Sequence, residues 1–276
     1  MTDLGSLGRS SAAWDINNHG VIAGGSEAAP LAAPPDFWAV VWTMSSGLWT
    51  IEKLGRLEGT CCGYAYGLNN GSEGDPSTVA VVGRSNVPSG EAHAVMWQKT
   101  TTEWLIQDLG TLPGDVFSYA NDVNDSQTVV GASRSSTGID RAFRWTSSMG
   151  MVALPGLGGD TRAEAIADNG DVAGTSSDAA GNSHAVRWRG SDNAIEDLGT
   201  LGGCCSEGLG INTAGTVVGW SDISKRGNQR AFQAKRGARL TELGGPRKQS
   251  VARDLNDFGT IAGTISGDHA AIWKLP

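Results

Sequence analysis

The chain is poor in several things. Charged residues fill 18% of its 276 positions and aromatic residues 7%, with only three tyrosines. So little charge sets aside a disordered tail or a coiled coil. No apolar run approaches the roughly 18 residues that a membrane-spanning helix needs, so no membrane partner is expected. There is no basic patch either: 21 Lys and Arg face 29 Asp and Glu, for a net charge of −8 at pH 7. Nucleic acid is therefore not an expected partner. Met1-Thr2-Asp3-Leu4-Gly5 is neither basic nor apolar, so no secretory signal is expected in this chain. Helical periodicity is missing over any useful length. Gly-x-Ser-x-Gly, His-Glu-x-x-His and a phosphate loop are absent, which leaves no nucleophile motif.

What the chain has is glycine, 40 residues of it, with nine prolines. That composition means many tight turns. It also has a repeat. Asp3-Leu4-Gly5-Ser6-Leu7-Gly8 returns as Lys53-Leu54-Gly55-Arg56-Leu57 and as Asp108-Leu109-Gly110-Thr111-Leu112. It returns again as Ala153-Leu154-Pro155-Gly156-Leu157-Gly158, Asp197-Leu198-Gly199-Thr200-Leu201-Gly202 and Glu242-Leu243-Gly244-Gly245. Each copy leads to a small-residue stretch ending in a motif such as Ile211-Asn212, then a turn. A strand such as Val217-Val218-Gly219 follows, and then one ending in tryptophan, such as Arg141-Ala142-Phe143-Arg144-Trp145.

Four short strands in about 45 residues make one propeller blade. The expected fold is all-β: a six-bladed β-propeller of four-stranded blades. One domain is expected over 1–276, with repeats at about 2–50, 51–105, 106–150, 151–194, 195–239 and 240–276. A β-solenoid of six coils is the structural alternative. The chain opens on an outermost strand, Thr2 to Gly5, and ends after a third, His269 to Trp273. Pairing of these N- and C-terminal strands would close the propeller and remove exposed sheet edges.

Asp-Leu-Gly-x-Leu-Gly-Gly, Ile-Asn-x-x-Gly-x-Val-Val-Gly and a terminal Ala-Phe-x-Trp resemble the HAF repeat, an extracellular propeller-like family named for a His-Ala-Phe triplet. The resemblance covers nearly the whole chain and implies a secreted or periplasmic protein. The triplet itself is varied: Trp38-Ala39-Val40, His93-Ala94-Val95, Arg141-Ala142-Phe143, His184-Ala185-Val186, Arg230-Ala231-Phe232 and His269-Ala270-Ala271.

Comparing the copies separates frame from site. Trp42, Trp97, Trp145, Trp188 and Trp273 share one position, with Ala234 in the fifth copy, and read as wedges between sheets. The His or Arg before each Ala reads as a hydrogen bond that ties a loop. Asp15-Ile16-Asn17-Asn18, Asp122-Val123-Asn124-Asp125 and Asp254-Leu255-Asn256-Asp257 look like the first ligands of calcium loops. They lack the downstream bidentate acid, so they read as turns. Neither a metal nor a cofactor is expected.

The innermost strands vary most. Aligned on Ile-Asn, one position reads Ala12, Tyr64, Tyr119, Arg162, Glu207 and Val251. Two residues on, another reads Trp14, Tyr66, Asn121, Glu164, Leu209 and Arg253. In a propeller these strands line the axis. A mouth with aromatic groups on one side and charges on the other would take a small polar or carbohydrate-like ligand. The expected ligand-binding residues are Trp14, Tyr64, Tyr66, Tyr119, Asn121, Arg162 and Arg253. The insertion from Glu27 to Asp36, rich in Ala and Pro, belongs to the same face.

The alternative is an enzyme, a hydrolase, lyase or isomerase/cyclase, with Glu164 and Glu207 dividing acid and base roles. A platform for a protein partner is a further alternative. The chain is expected to act as a monomer. The four cysteines form two adjacent pairs, Cys61-Cys62 and Cys204-Cys205, at loops entering the innermost strands of repeats two and five. For a secreted protein each pair is expected to close as a vicinal disulfide. Reduced thiols and a zinc site are the alternatives.

Overall fold

The computed structural model describes residues 2–28, 36–58, 61–72, 78–224, 227–244, 249–266 and 269–275. Residues 29–35 of the Ala- and Pro-rich insertion lie outside them. The described residues contain 23 strands and no α-helix, and hence no helix long and apolar enough to cross a membrane. The chain divides into two compact units.

Unit one is Met1–Gly138 with Arg144–Val152. Its first sheet runs β1 (Gly8–Ile16), β2 (Ile22–Ala28), β3 (Asp36–Ser45), β4 (Leu48–Lys53). Its second runs β5 (Gly63–Leu68), β6 (Ala80–Asn86), β7 (Ala92–Lys99), β8 (Trp104–Gly110). The third has β9 (Asp115–Val123), β10 (Val129–Ser135), β11 (Asp140–Thr146) and β12 (Gly150–Ala153). Unit two is Ile139–Phe143 with Ala153–Pro276, so the first residues of β11 belong to it. Its next sheet is β13 (Gly158–Ile166), β14 (Val172–Asp178), β15 (Ser183–Trp188), β16 (Ile195–Gly199). Then come β17 (Ser206–Ile211), β18 (Val217–Asp222), β19 (Gln229–Ala234), β20 (Thr241–Glu242). Last are β21 (Ser250–Leu255), β22 (Thr260–Ile265) and β23 (His269–Lys274). Every sheet is an antiparallel meander in chain order, one per sequence repeat.

The repeated residues are the joints between sheets. The leucine of each Gly-x-Leu loop donates its amide to a buried serine of the second strand: Leu57 to Ser85 Oγ at 3.1 Å, Leu112 to Ser133 at 3.0 Å, Leu201 to Ser221 at 2.9 Å. A second hydroxyl set accepts the amide of the alanine in the Ala-Val or Ala-Phe strand. Ser118 Oγ takes Ala94 N at 2.7 Å, Thr161 takes Ala142 N at 2.7 Å and Ser206 takes Ala185 N at 2.8 Å. These serines are fully buried and fully paired, which is why a polar residue is tolerated there.

The Asn of the Ile-Asn motif does two jobs. Its Oδ1 caps its own turn, as Asn124 does for Thr128 N at 3.0 Å and Asn212 for Thr216 N at 3.0 Å. Its Nδ2 donates to the next sheet: Asn17 to Asn69 O, Asn69 to Asn124 O, Asn212 to Asn256 O. The neighbouring acids are used the same way. Asp125 Oδ1 accepts Asn70 N at 2.8 Å and Asp257 Oδ1 accepts Thr213 N at 2.8 Å. The calcium-like motifs are thus ties between sheets.

The His/Arg position is a tie within a sheet. His93 Nδ1 meets Asp108 and His184 Nδ1 meets Asp197, each at 3.0 Å. Arg230 pairs with Glu242 at 3.2 Å in the same place. In the first sheet Trp38 takes the histidine's place and Lys53 the acid's, and the ammonium lies 4.4 Å from the ring centroid. Trp97, Trp188 and Trp273 donate their indole N–H to Gly55, Pro155 and Gly244 carbonyls at 2.8–2.9 Å. Trp42, Trp97 and Trp188 are fully buried and wedge the sheets as expected.

Among the described residues no strand ladder joins the two chain ends. The sixth sheet has three strands, and residues 2–7 form none. Asp3 Oδ1 accepts Gly5 N at 2.9 Å, the same local turn that Asp108 makes with Gly110 and Asp197 with Gly199. In β8 and β16, however, the ladder is built largely by residues before that Asp, such as Leu105 to Gln107 and Ile195 to Glu196. Leu4 and Leu7 instead pack on Ile22, Val40 and Trp42 of the first sheet.

Candidate functional site

The first strand of every sheet carries a β-bulge at one fixed place. The register jumps between Ala13 and Asp15, Ala65 and Gly67, and opposite Val130 and Gly131. It jumps likewise between Ala163 and Ala165, Gly208 and Gly210, and Ala252 and Asp254. The residues left over are Trp14, Tyr66, Asn121, Glu164, Leu209 and Arg253. This is the second variable position of the sequence comparison. A bulge bends the strand and re-aims its extra side chain. The glycine of Val-Val-Gly makes room for it: a Cβ on Gly83 would collide with the carbonyl oxygen of Tyr64, and one on Gly219 with that of Glu207.

In unit one the bulges gather an aromatic cluster. Trp14 meets Tyr66 edge-on at 5.4 Å between centroids and Tyr64 at 6.0 Å. Tyr64 and Tyr66 are near-parallel at 6.2 Å, and Phe37 stacks on Tyr64 at 5.5 Å. The Arg84 guanidinium lies 4.9 Å from the Tyr64 ring and 5.7 Å from that of Phe117, which packs on Tyr119 at 5.9 Å. Trp14 is 46% exposed, so one face of the cluster is open to solvent. Burial raises the Tyr64 and Tyr66 phenols above their usual range, which keeps both neutral.

In unit two the same positions carry charge. Arg162 is held by the buried Asp140, Nε to Oδ2 at 2.6 Å. Glu207 Oε2 accepts the Trp220 indole N–H at 3.1 Å. Burial, and then the Glu207 charge, push the Glu164 carboxyl up to about 7, against the pull of Arg162. A small pocket of about 70 Å3 lies beside them, lined by Asp160, Arg162, Thr175, Ser177, Ser183 and Glu207. Arg253 is exposed on its bulge in β21. Of the residues expected at one mouth, the structure joins Trp14, Tyr64 and Tyr66 in unit one, and Arg162, Glu164 and Glu207 in unit two.

Sequence comparison missed the residues facing these positions. Arg84 pairs across the ladder with Tyr64, and Trp220 with Glu207. The signal existed: the residue after Val-Val-Gly or its equivalent also varies, as Gly25, Arg84, Ala132, Thr175, Trp220 and Thr264.

All four cysteines are free thiols in the structure, so neither expected disulfide is formed in it. Cys205 Sγ lies 2.6 Å from Cys204 Sγ, and Cys204 Sγ lies 3.4 Å from Asp222 Oδ2. Cys62 holds a left-handed φ of 73°, and Cys61 Sγ lies 3.9 Å from Asn86 Nδ2. The Cys205 contact, burial and Asp222 together raise the Cys204 thiol to about 11.

No family model matches the chain, and no curated protein does. Solved structures do. The β-propeller domain of the Trilobed protease from Pyrococcus furiosus, described as having an open velcro topology, is 8% identical with a TM-score of 0.58, over 96% of this chain and 81% of that one. A puromycin-hydrolyzing peptidase from Mycobacterium tuberculosis is 13% identical with a TM-score of 0.52, over 92% of this chain and 42% of that one. TolB from Acinetobacter baumannii is 12% identical with a TM-score of 0.51, over 80% of this chain. This chain spans half the length of TolB. At these identities the likeness concerns fold alone. Together with the six sheets, it makes the fold a six-bladed β-propeller.

Proposed function

We propose that the protein is a binding propeller for a small polar, carbohydrate-like ligand with a flat apolar face. The observation that carries this reading is the bulge series. One re-aimed position per blade has been filled differently six times. In unit one the open face of Trp14 and the adjoining Tyr66 ring would stack the ligand. The resemblance of the motifs to HAF repeats supports work outside the cytoplasm, as a secreted or periplasmic monomer. The test is a panel of mono- and oligosaccharides screened by saturation-transfer NMR. W14A and Y66A should each lower the affinity of any binder about tenfold, since ring stacking is worth roughly 0.5–1.5 kcal/mol beyond area burial. Unchanged affinity in both variants would sink the assignment.

A second reading rests on Glu164. A carboxyl poised near neutrality beside a second carboxylate suits general acid–base chemistry in a hydrolase, lyase or isomerase/cyclase. On that reading E164Q lowers turnover by about 10²–10⁴-fold while leaving binding nearly intact.

A further inference from the structure

The second and fifth blades carry the same unusual device. In each, two adjacent cysteines sit just before the first strand. In each, the second cysteine's carbonyl accepts the amide of the last residue of the second strand: Asn86 N to Cys62 O at 3.1 Å, and Asp222 N to Cys205 O at 2.8 Å. The one chemical difference at that residue is amide against carboxylate.

In the fifth blade this difference completes a set of ligands. Cys204 Sγ, Cys205 Sγ and an Asp222 carboxylate oxygen all lie within 4.8 Å of one another. Asp222 is buried, while Cys204 is exposed. The loop is pinned on both sides of the pair, because Gly203 N also donates to Asp222 O at 2.9 Å. Gly203 is required there, since a Cβ would collide with the Asp222 side chain.

We propose that Cys204, Cys205 and Asp222 form a site for one thiophilic divalent cation of the zinc group, with the remaining position left to solvent. Two thiolates and one carboxylate are the donor chemistry such an ion takes. The sulfurs must part on binding. Zn–S bonds of about 2.3 Å set tetrahedral ligands roughly 3.8 Å apart, so one thiol rotates about χ1. The Cys204–Asp222 edge, at 3.4 Å, is already close to that spacing. The two thiol protons leave to solvent as the thiolates bind.

The test uses the full chain, reduced with a phosphine, stripped of metal and titrated with CdCl2 under nitrogen. Thiolate-to-Cd2+ charge-transfer absorbance reports the bound sulfur. Wild type should take up one tight equivalent. C204S/C205S should lose it and C61S/C62S should keep it. D222N should weaken binding tenfold or more. N86D, which gives the second blade the missing carboxylate, should raise the tight equivalents from one to two. The proposal is overturned if wild type gives no saturable band, if C204S/C205S binds as wild type does, or if folded D222N binds equally tightly. Should D222N fail to fold, N86D decides alone, and a count that stays at one overturns the carboxylate's role.

Discussion

Strands β5 and β17 show what this fold demands and what it leaves free. Gly63-Tyr64-Ala65-Tyr66-Gly67-Leu68 and Ser206-Glu207-Gly208-Leu209-Gly210-Ile211 have the same alternation of buried and half-buried positions, residue for residue. Both bulge at the fourth residue, and both are followed by the same asparagine cap. The buried positions hold glycine, alanine, serine or an aliphatic residue. The half-buried ones hold two tyrosines in one strand, and glutamate and leucine in the other. The facing residue changes with them: a guanidinium over the tyrosine ring, an indole N–H on the glutamate. The same burial pattern therefore accommodates different chemistry at these positions.

The comparison predicts that the glycines facing the two bulges, Gly83 in β6 and Gly219 in β18, are equally indispensable. G83V and G219V should each cost about 3 kcal/mol or more, because the added atoms fall on backbone rather than on a yielding side chain. Thermal melts of the two variants should drop together. A large drop in one alone would mean that the bulges are not equivalent. The buried hydroxyls come next. S85A and S221A each strand a leucine amide and should cost about 1–3 kcal/mol, measured by denaturant unfolding.

The acidic blades should show their character in pH. Glu164 has a folded pKa of about 7, above its usual 4.5. The folded state then holds a proton that the unfolded chain has lost, so stability falls as pH rises from about 4.5 to 7 and levels off above. E164Q should remove that part of the slope, on the order of 1–3 kcal/mol across the window. A variant as pH-sensitive as wild type over that range would refute the assignment.

The smallest expected effect is the sharpest test. Y64E/Y66L writes the fifth blade's residues into the second. Its stability should stay within about 1 kcal/mol of wild type, because only half-buried positions change and Arg84 gains a carboxylate partner. A collapse in melting temperature would show that the aromatic cluster is part of the core.

Most of the frame could be read from the chain. The six copies, the four strands of a blade, the tryptophan wedges and the histidine ties all depend on residues within one repeat or at a fixed distance from it. The bulges could not be read so directly. A bulge is a mismatch between two strands, and it becomes visible only when Ala65 and Gly67 are both assigned partners across the ladder. The variable position itself was legible, but the reason it points away from the sheet was not. Arg84 and Trp220 lie on the second strands, so a comparison of first strands alone does not contain them, although their own position varies as freely. The missing fourth strand of the last sheet was also hidden. Asp3-Leu4-Gly5 has the local signature of a strand end, and only the ladder shows that residues 2–7 form no strand.

The asparagine ties have a direction. Asn17 reaches forward to Asn69, and Asn69 forward to Asn124, each donor serving the following sheet and each carbonyl receiving from the preceding one. Such a joint is head-to-tail, so the two surfaces it brings together are different; in the fourth copy Ala167 takes the asparagine's place, and Asn169 Nδ2 donates forward to Thr213 O instead. A duplicated repeat would arrive with a donor side and an acceptor side already matched to its neighbours. The joint fixes polarity but not number, so blades of this kind can multiply without a new interface being invented.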